Sequence, residues 1–415
     1  MHPSIPHIGT GKAKLAPFPV KVIILAVCIC NRIADTVIRL AYLYLYIAIS
    51  MDTTLLTPMN LQELGWQPAF SQAFDERTEP GLVPARVARQ NRHHYVVFAE
   101  AGALAAEVSG KMRDAAHTRT DFPAVGDWVA AIARPDEGTA TIHAVLPRKS
   151  HFSRKVAGVT TEEQVVAANV DTVFLVSGLD HDFNLRRIER YLTLAWNSGA
   201  LPVIVLNKAD LCDDLEGRLV AVEAVAMGID ILPVSAATGE GVDALRAYLA
   251  PGQTVAFLGS SGVGKSTLVN RLLGEERMQT TDVREDDSRG RHTTTFRELI
   301  LLPEGGVMID TPGMRELQLW ADEESLHAAF ADIEALAQDC HFRDCAHDTE
   351  PGCAVRAALD AGVLDEGRFH SYLKLKRELA RLARRQTEAG RYEERQRDKA
   401  FGRMVKEIMK HNRKR

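Results

Sequence analysis

Short apolar stretches, broken by glycine, proline and charge, dominate residues 81–150. Pro84–Arg89, His94–Phe98, Ala105–Lys111, Gly126–Ile132 and Thr139–Leu146 each mix β-branched, aromatic and small apolar residues with isolated polar ones, the pattern of half-buried strands. Five such strands in about 70 residues predict a small barrel of the OB type over 81–152. From Val165 the pattern changes. Val170–Val176 reads as a strand buried on both faces, and an arginine-rich helical segment, Leu185–Trp196, follows it. Pro202–Leu206, Leu232–Val234, Thr254–Leu258 and Gly306–Ile309 are further apolar runs separated by helical stretches. Strands alternating with helices predict a doubly wound, mostly parallel α/β sheet over 153–325. Residues 326–415 read as helical apart from one cysteine-bearing loop.

Residues 1–50 do not match the rest. Val22–Cys30 is apolar, Asn31 and Arg32 interrupt it, and the next run contains Asp35 and Arg39. Neither run reaches the roughly 18–20 clean apolar residues of a membrane span. The expectation is a non-native or unstructured upstream extension over 1–50, a soluble start near Met51 and an N-terminal segment over 51–80.

A chain of 415 residues is too long for one ordinary core, in keeping with several domains. The formal net charge of −5 hides an asymmetry, because Glu366–Arg415 holds 17 Lys and Arg against 7 Asp and Glu. A basic tail on an acidic body points to a polyanionic partner for the tail. Arg86, Arg89, Arg92, Lys111, Arg113 and Arg148 make the barrel a candidate nucleic-acid surface.

The chemistry concentrates in a few motifs. Gly259-Ser260-Ser261-Gly262-Val263-Gly264-Lys265-Ser266-Thr267 follows a predicted strand and opens a helix, the context a phosphate-binding loop requires. Its backbone N–H groups and helix N-terminus suit phosphate, Lys265 the β- and γ-phosphates, and Ser266 Mg²⁺. Asn207-Lys208-Ala209-Asp210 ends another strand. The Asp210 carboxylate can accept from guanine N1–H and N2–H₂, and adenine would leave it unpaired. Ser235 and Ala236 suit backbone contact with the guanine carbonyl. Asp310 suits a water-mediated Mg²⁺ contact and Gly313 N–H the γ-phosphate. Thr293, Thr294 and Thr295 each offer a hydroxyl to Mg²⁺, and the sequence does not choose among them. These elements lie in permuted order: base-reading motifs first, phosphate loop afterwards. Rejoining neighbouring termini elsewhere preserves a core, so the sequence reads as a circularly permuted P-loop GTPase.

Many GTPases carry a water-orienting glutamine where this chain has Met314. His292 is the candidate catalytic residue, with Arg291 and Arg315 as rivals for stabilising charge. Cys340, Cys345, His347 and Cys353 supply three thiolates and an imidazole, a set that suits one closed, structural tetrahedral Zn²⁺. Cys28, Cys30 and Cys212 have no such partners.

On Pro123–Trp128, Asn207–Asp210, Gly259–Thr267, Gly290–Thr295, Asp310–Gly313 and Cys340–Cys353, over about residues 60–415, the chain resembles the small ribosomal subunit biogenesis GTPases, the RsgA (YjeQ) family. The resemblance implies an N-terminal OB barrel, a permuted G domain and a C-terminal, mostly α-helical zinc domain. It implies hydrolysis of GTP to GDP and phosphate, stimulated by the 30S subunit in its late maturation. Contact with 16S rRNA and with other 30S assembly factors follows from the same likeness. So does a cytoplasmic location. A monomer without membrane attachment is the default expectation.

Overall fold

The computed structural model describes residues 58–91, 94–155, 162–275, 297–310 and 323–386. The expectations for residues 1–50, for Arg92 and for the tail beyond Gln386 lie outside them.

Five strands close a barrel: β1 Leu82–Asn91, β2 His94–Ala99, β3 Gly102–Val108, β4 Trp128–Arg134 and β5 Thr139–Val145. β1, β2 and β3 pair antiparallel, β3 meets β5 in parallel, and β5 meets β4 antiparallel. β4 returns to the first half of β1, Leu82–Arg86. A register break between Val87 and Arg89 bends β1 so that its second half is released from β4. Val87, Val97, Leu104, Val129 and Ile142 fill the interior. β3 stops at Val108, short of the predicted Lys111. Ser109 caps the helix Gly110–Ala115 by accepting Met112 N–H at 3.1 Å, and this local bond outcompetes strand continuation.

The arginines of the barrel need correction as a surface. Arg86 is 1% exposed. Its guanidinium donates to the carbonyls of Leu64, Gly126 (3.2 Å) and Asn169 (3.2 Å), and it lies 5.6 Å from the Trp128 ring centroid. Arg148 pairs with buried Asp127 through two 2.8 Å bonds, and Arg89 pairs with Glu298 at 2.5 Å. These three hold the fold together. Lys111 and Arg113 are exposed.

The second layer contains β8 Thr172–Gly178, β9 Leu201–Asn207, β10 Ile231–Pro233, β11 Thr254–Gly259, β12 Arg297–Leu301 and β13 Val307–Asp310. Their order is β10-β9-β8-β11-β13-β12, parallel except for β12. Phe174, Val205, Val255, Phe257, Leu268 and Met308 lie in its core. β12 also pairs with the released half of β1, Arg89 opposite Glu298 and Gln90 opposite Arg297. Barrel and α/β layer therefore share one eleven-stranded sheet. β6 His151–Lys155 and β7 Glu163–Ala168 form a separate antiparallel pair. The sequence reading missed β6, β7 and β12. His151–Lys155 is too polar and Arg297–Leu301 too short to show a period.

The helix Leu185–Ser198 starts at Asn184, whose side chain accepts Arg187 N–H, and stops at Gly199 with φ 80°, a left-handed end that glycine accepts without strain. The C-terminal region is built of Glu323–Ala329, Ala331–Gln338, Ala354–Asp360 and Glu366–Gln386. Arg368 fastens it inward, bonding Asp332 at 2.6 and 2.7 Å and buried Glu189 of the Leu185–Ser198 helix at 3.0 Å. Among the described residues, no helix is long and apolar enough to cross a membrane.

Candidate functional site

The carboxyl ends of β8, β9 and β11 converge, the place where open parallel sheets bind ligands. β11 runs into the loop Gly259–Gly264, and the helix Lys265–Leu273 opens directly after it. Gly262 and Gly264 have φ 79° and 92°, which turns the loop backbone inward. A Cβ on Gly264 would sit 2.2 Å from Asn207 Nδ2, so glycine is required there on two counts. Lys265 Nζ donates to the carbonyls of Gly259 (2.8 Å) and Ser260 (2.5 Å). Ser261 is exposed, and Ser266 and Thr267 form the half-buried first turn of the helix.

Asn207 ends β9, 1% exposed. Its Nδ2 donates to Val263 O at 2.7 Å and its Oδ1 accepts Ala236 N–H at 2.9 Å. One side chain thus clamps the phosphate loop to the loop after β10. Lys208 adopts a left-handed φ of 66°, and its Nζ meets Asp180 Oδ2 at 2.6 Å. Ala209 and Asp210 lie in the short turn Ala209–Leu211, with Asp210 exposed. Ser235 is buried and its Oγ accepts Thr238 N–H at 3.1 Å. Arg271, on the helix after the phosphate loop, donates to the carbonyls of Ala236 (3.1 Å) and Ala237 (2.5 Å).

Three residues without a sequence signature complete this region. Ser260 Oγ donates to Asp182 Oδ2 at 2.6 Å and accepts from Arg187 Nη1 at 2.9 Å, while Arg187 pairs with Asp182 at 2.6 Å. Burial alone would raise the Asp182 carboxyl, but Arg187 and Ser260 outweigh it and hold the group below its ordinary range. Asp180 balances the same way: burial raises it, and Lys208 and the Asp182 N–H lower it further. Their position just past a parallel strand's carboxyl end was the available signal. Asp310 closes β13, in register with Glu298. Gly290–Thr295, including His292, Thr293 and Thr294, and Thr311–Gly313 lie outside the described residues.

Cys340, Cys345, His347 and Cys353 form a second site, their ligand atoms all within 4.8 Å of one another. Cys340 Sγ and Cys353 Sγ are 3.8 Å apart, and they lie 3.6 and 3.5 Å from His347 Nδ1. Zinc bonds of about 2.3 Å to sulfur and about 2.0 Å to nitrogen give tetrahedral edges of about 3.8 and about 3.5 Å. The donor set fits such an ion. Burial, with help from the Lys376 charge, lowers the His347 pKa, favouring the neutral imidazole that binds metal. His347 reaches inward from a left-handed backbone, φ 61°. Cys353 also caps Ala354–Asp360 by accepting Arg356 N–H at 3.4 Å.

A phosphate loop fed by a parallel strand, tied through Asn207 to loops that precede it in the chain, defines a circularly permuted P-loop GTPase. The sequence profile of the RsgA GTPase family matches residues 145–320. The small ribosomal subunit biogenesis GTPase RsgA of Opitutus terrae is 51% identical over 336 residues, covering 79% of this chain and 92% of that protein. RsgA 2 of Vibrio parahaemolyticus is 46% identical over 364 residues, covering 88% and 97%. The crystal structure of YjeQ from Thermotoga maritima superposes with a TM-score of 0.54 at 31% identity, covering 72% of this chain and 99% of that one. YloQ, a circularly permuted GTPase, shares the fold with a TM-score of 0.53. The chain belongs to the RsgA GTPase family and hydrolyses GTP.

Proposed function

We propose that this GTPase acts in late maturation of the small ribosomal subunit, contacting 16S rRNA and hydrolysing GTP to GDP and phosphate faster on the 30S particle than alone. The bridge from Asn207 to Val263 and Ala236 is the observation that carries the nucleotide half of this reading. The ribosomal half draws on the Opitutus and Vibrio relatives, whose names describe small ribosomal subunit biogenesis.

In this reading Asp210 selects guanine and the loop after β10 offers backbone to the base. Lys265 leaves the Gly259 and Ser260 carbonyls for the β- and γ-phosphates, which the loop N–H groups of Gly262–Ser266 surround. Ser266, one threonine of Thr293–Thr295 and Asp310 hold Mg²⁺, which neutralises phosphate charge when bound. Gly313 N–H meets the γ-phosphate and His292 orients the attacking water. Asp182 and Arg187 keep Ser260, and with it the loop, in shape.

The barrel over 81–152 is of OB type, its β1-β2-β3-β5-β4 circuit with one parallel contact supporting the assignment. The G domain spans 153–325, and 326–415 is a zinc domain with a basic tail. One Zn²⁺ on Cys340, Cys345, His347 and Cys353 braces the C-terminal loop. The chain works as a cytoplasmic monomer alongside other 30S assembly factors. The test is GTP turnover with and without purified 30S subunits. Stimulation is expected, and equal rates at saturating subunit concentration would overturn the ribosomal role.

A further inference from the structure

The ladder where barrel meets α/β layer sets three charged residues in one row. Arg89 of β1 lies opposite Glu298 of β12, and Glu298 lies opposite Asp310 of β13. Directly opposed residues of antiparallel strands share a face, so the three side chains stand on one side of the sheet. Arg89 and Glu298 meet at 2.5 Å and are only 15% and 18% exposed. Strand alternation puts Ile300 and Met308, themselves opposed, on the same face. Both are buried in the core that contains Val263 of the phosphate loop and Leu268 of the helix after it. The row therefore lies on the side of the sheet that carries the phosphate loop. It also lies at the matching end. β13 runs parallel to β11 with Ile309 opposite Ala256, so Asp310 is one step nearer to Gly259, where that loop begins.

Like charges directly opposed across a ladder repel, and Glu298 faces Asp310 in that way. From the barrel side, Arg89 answers the Glu298 carboxylate with a charge-assisted bond. Asp310 closes β13, and Ser266 lies in the first turn of the helix after the phosphate loop. A carboxylate and a hydroxyl are the hard oxygen donors that Mg²⁺ takes beside phosphates, so the residues fit that ion. In a partly shielded place the net charge of the row acts on any anion or cation bound there.

We propose that Arg89 is a positioning residue for GTP and its Mg²⁺, acting through Glu298. By offsetting the Glu298 charge it keeps a second negative group from bearing on Asp310 and on the phosphates. A residue of the barrel thereby sets the electrostatics of the GTPase site. The proposal rests on the reading of Asp310 as a Mg²⁺ contact.

The test uses the full chain and a fluorescent, non-hydrolysable GTP analogue, titrated in EDTA and again in Mg²⁺. Arg89→Gln makes the row one unit more negative. Its affinity in EDTA should fall about threefold to tenfold. The gain in affinity brought by Mg²⁺ should exceed that of the wild type, because added negative charge favours the cation. Glu298→Gln should do the reverse, with tighter binding in EDTA by a similar factor and a smaller Mg²⁺ gain. Arg89→Lys, and Arg89→Gln combined with Glu298→Gln, should both return toward wild type. A contact that only holds shape does not yield tighter binding when Glu298 is neutralised, nor rescue by a second neutral substitution, so the pattern is decisive even where single variants lower Tm. Unchanged affinity in both single variants would overturn the proposal, as would a fall in both. Asp310→Asn separates the two readings. It should lose the Mg²⁺ gain. If it does while the Arg89 and Glu298 variants bind like wild type, the Arg89 proposal falls and the role of Asp310 stands. If it keeps the gain, the Mg²⁺ reading of Asp310 falls and takes this proposal with it.

Discussion

Asn207 and Val263 are joined by a 2.7 Å side-chain-to-backbone hydrogen bond across 56 residues of chain. The bond ties the end of β9, the proposed base-reading motif, to the Gly259–Gly264 loop proposed to hold the phosphates. Asn207→Ala would leave Val263 O and Ala236 N–H buried without partners, at a cost of about 1–3 kcal/mol each. Both Tm and GTP affinity should fall, the affinity at least tenfold. Titration with a fluorescent GTP analogue checks this, and retained affinity would separate Asn207 from the site.

Asp210 is exposed in the turn Ala209–Leu211, where we propose that it accepts two donors from guanine. Asp210→Asn should lose GTP and gain xanthosine triphosphate, whose 2-carbonyl accepts from the new amide. Competition between the two nucleotides measures the switch. Undiminished preference for GTP removes Asp210 from base recognition.

The four metal donors predict about one zinc per purified chain. Cys345→Ser should lower that content and expose residues 323–386 to protease before the α/β layer is cut, since small metal-held loops lose their shape without the ion. Identical digestion of variant and wild type would argue that the helices hold the loop unaided.

The Asp180–Lys208 pair makes a pH prediction. The Asp180 pKa lies below its ordinary value. The pair's contribution is therefore complete above the unfolded carboxylate value of about 3.9 and is lost as pH falls through the lower folded value. Urea unfolding of Asp180→Asn should show lower stability than wild type at pH 7, with the gap closing in acid. A gap that persists unchanged at pH 2 would assign the loss to something other than ionisation.

The strands with strong apolar character were legible in the sequence: β8, β9, β11 and the five barrel strands all appear near their expected positions. So were the phosphate loop and the Cys340–Cys353 cluster, because their chemistry is local in sequence. What stayed hidden is set by partners distant in sequence. Arg86 looks like any surface arginine until Leu64, Gly126 and Asn169 converge on it. Asp182 and Arg187 carry no motif, and only the approach of β8 to β11 brings them to Ser260. β12 was missed for a related reason: it is a strand because β1 and β13 flank it, while its own five residues barely specify one.

The closure of the barrel also governs how the molecule avoids its own kind. The eleven-stranded sheet would ordinarily expose two edges to adventitious pairing. At one end β4 turns back onto β1 and that edge disappears. The other end is β10, three residues long and finishing in Pro233, which has no N–H to offer an incoming strand. Lengthening β10, or replacing Pro233 with a β-branched residue, would give the sheet a template for self-association that the native sequence withholds.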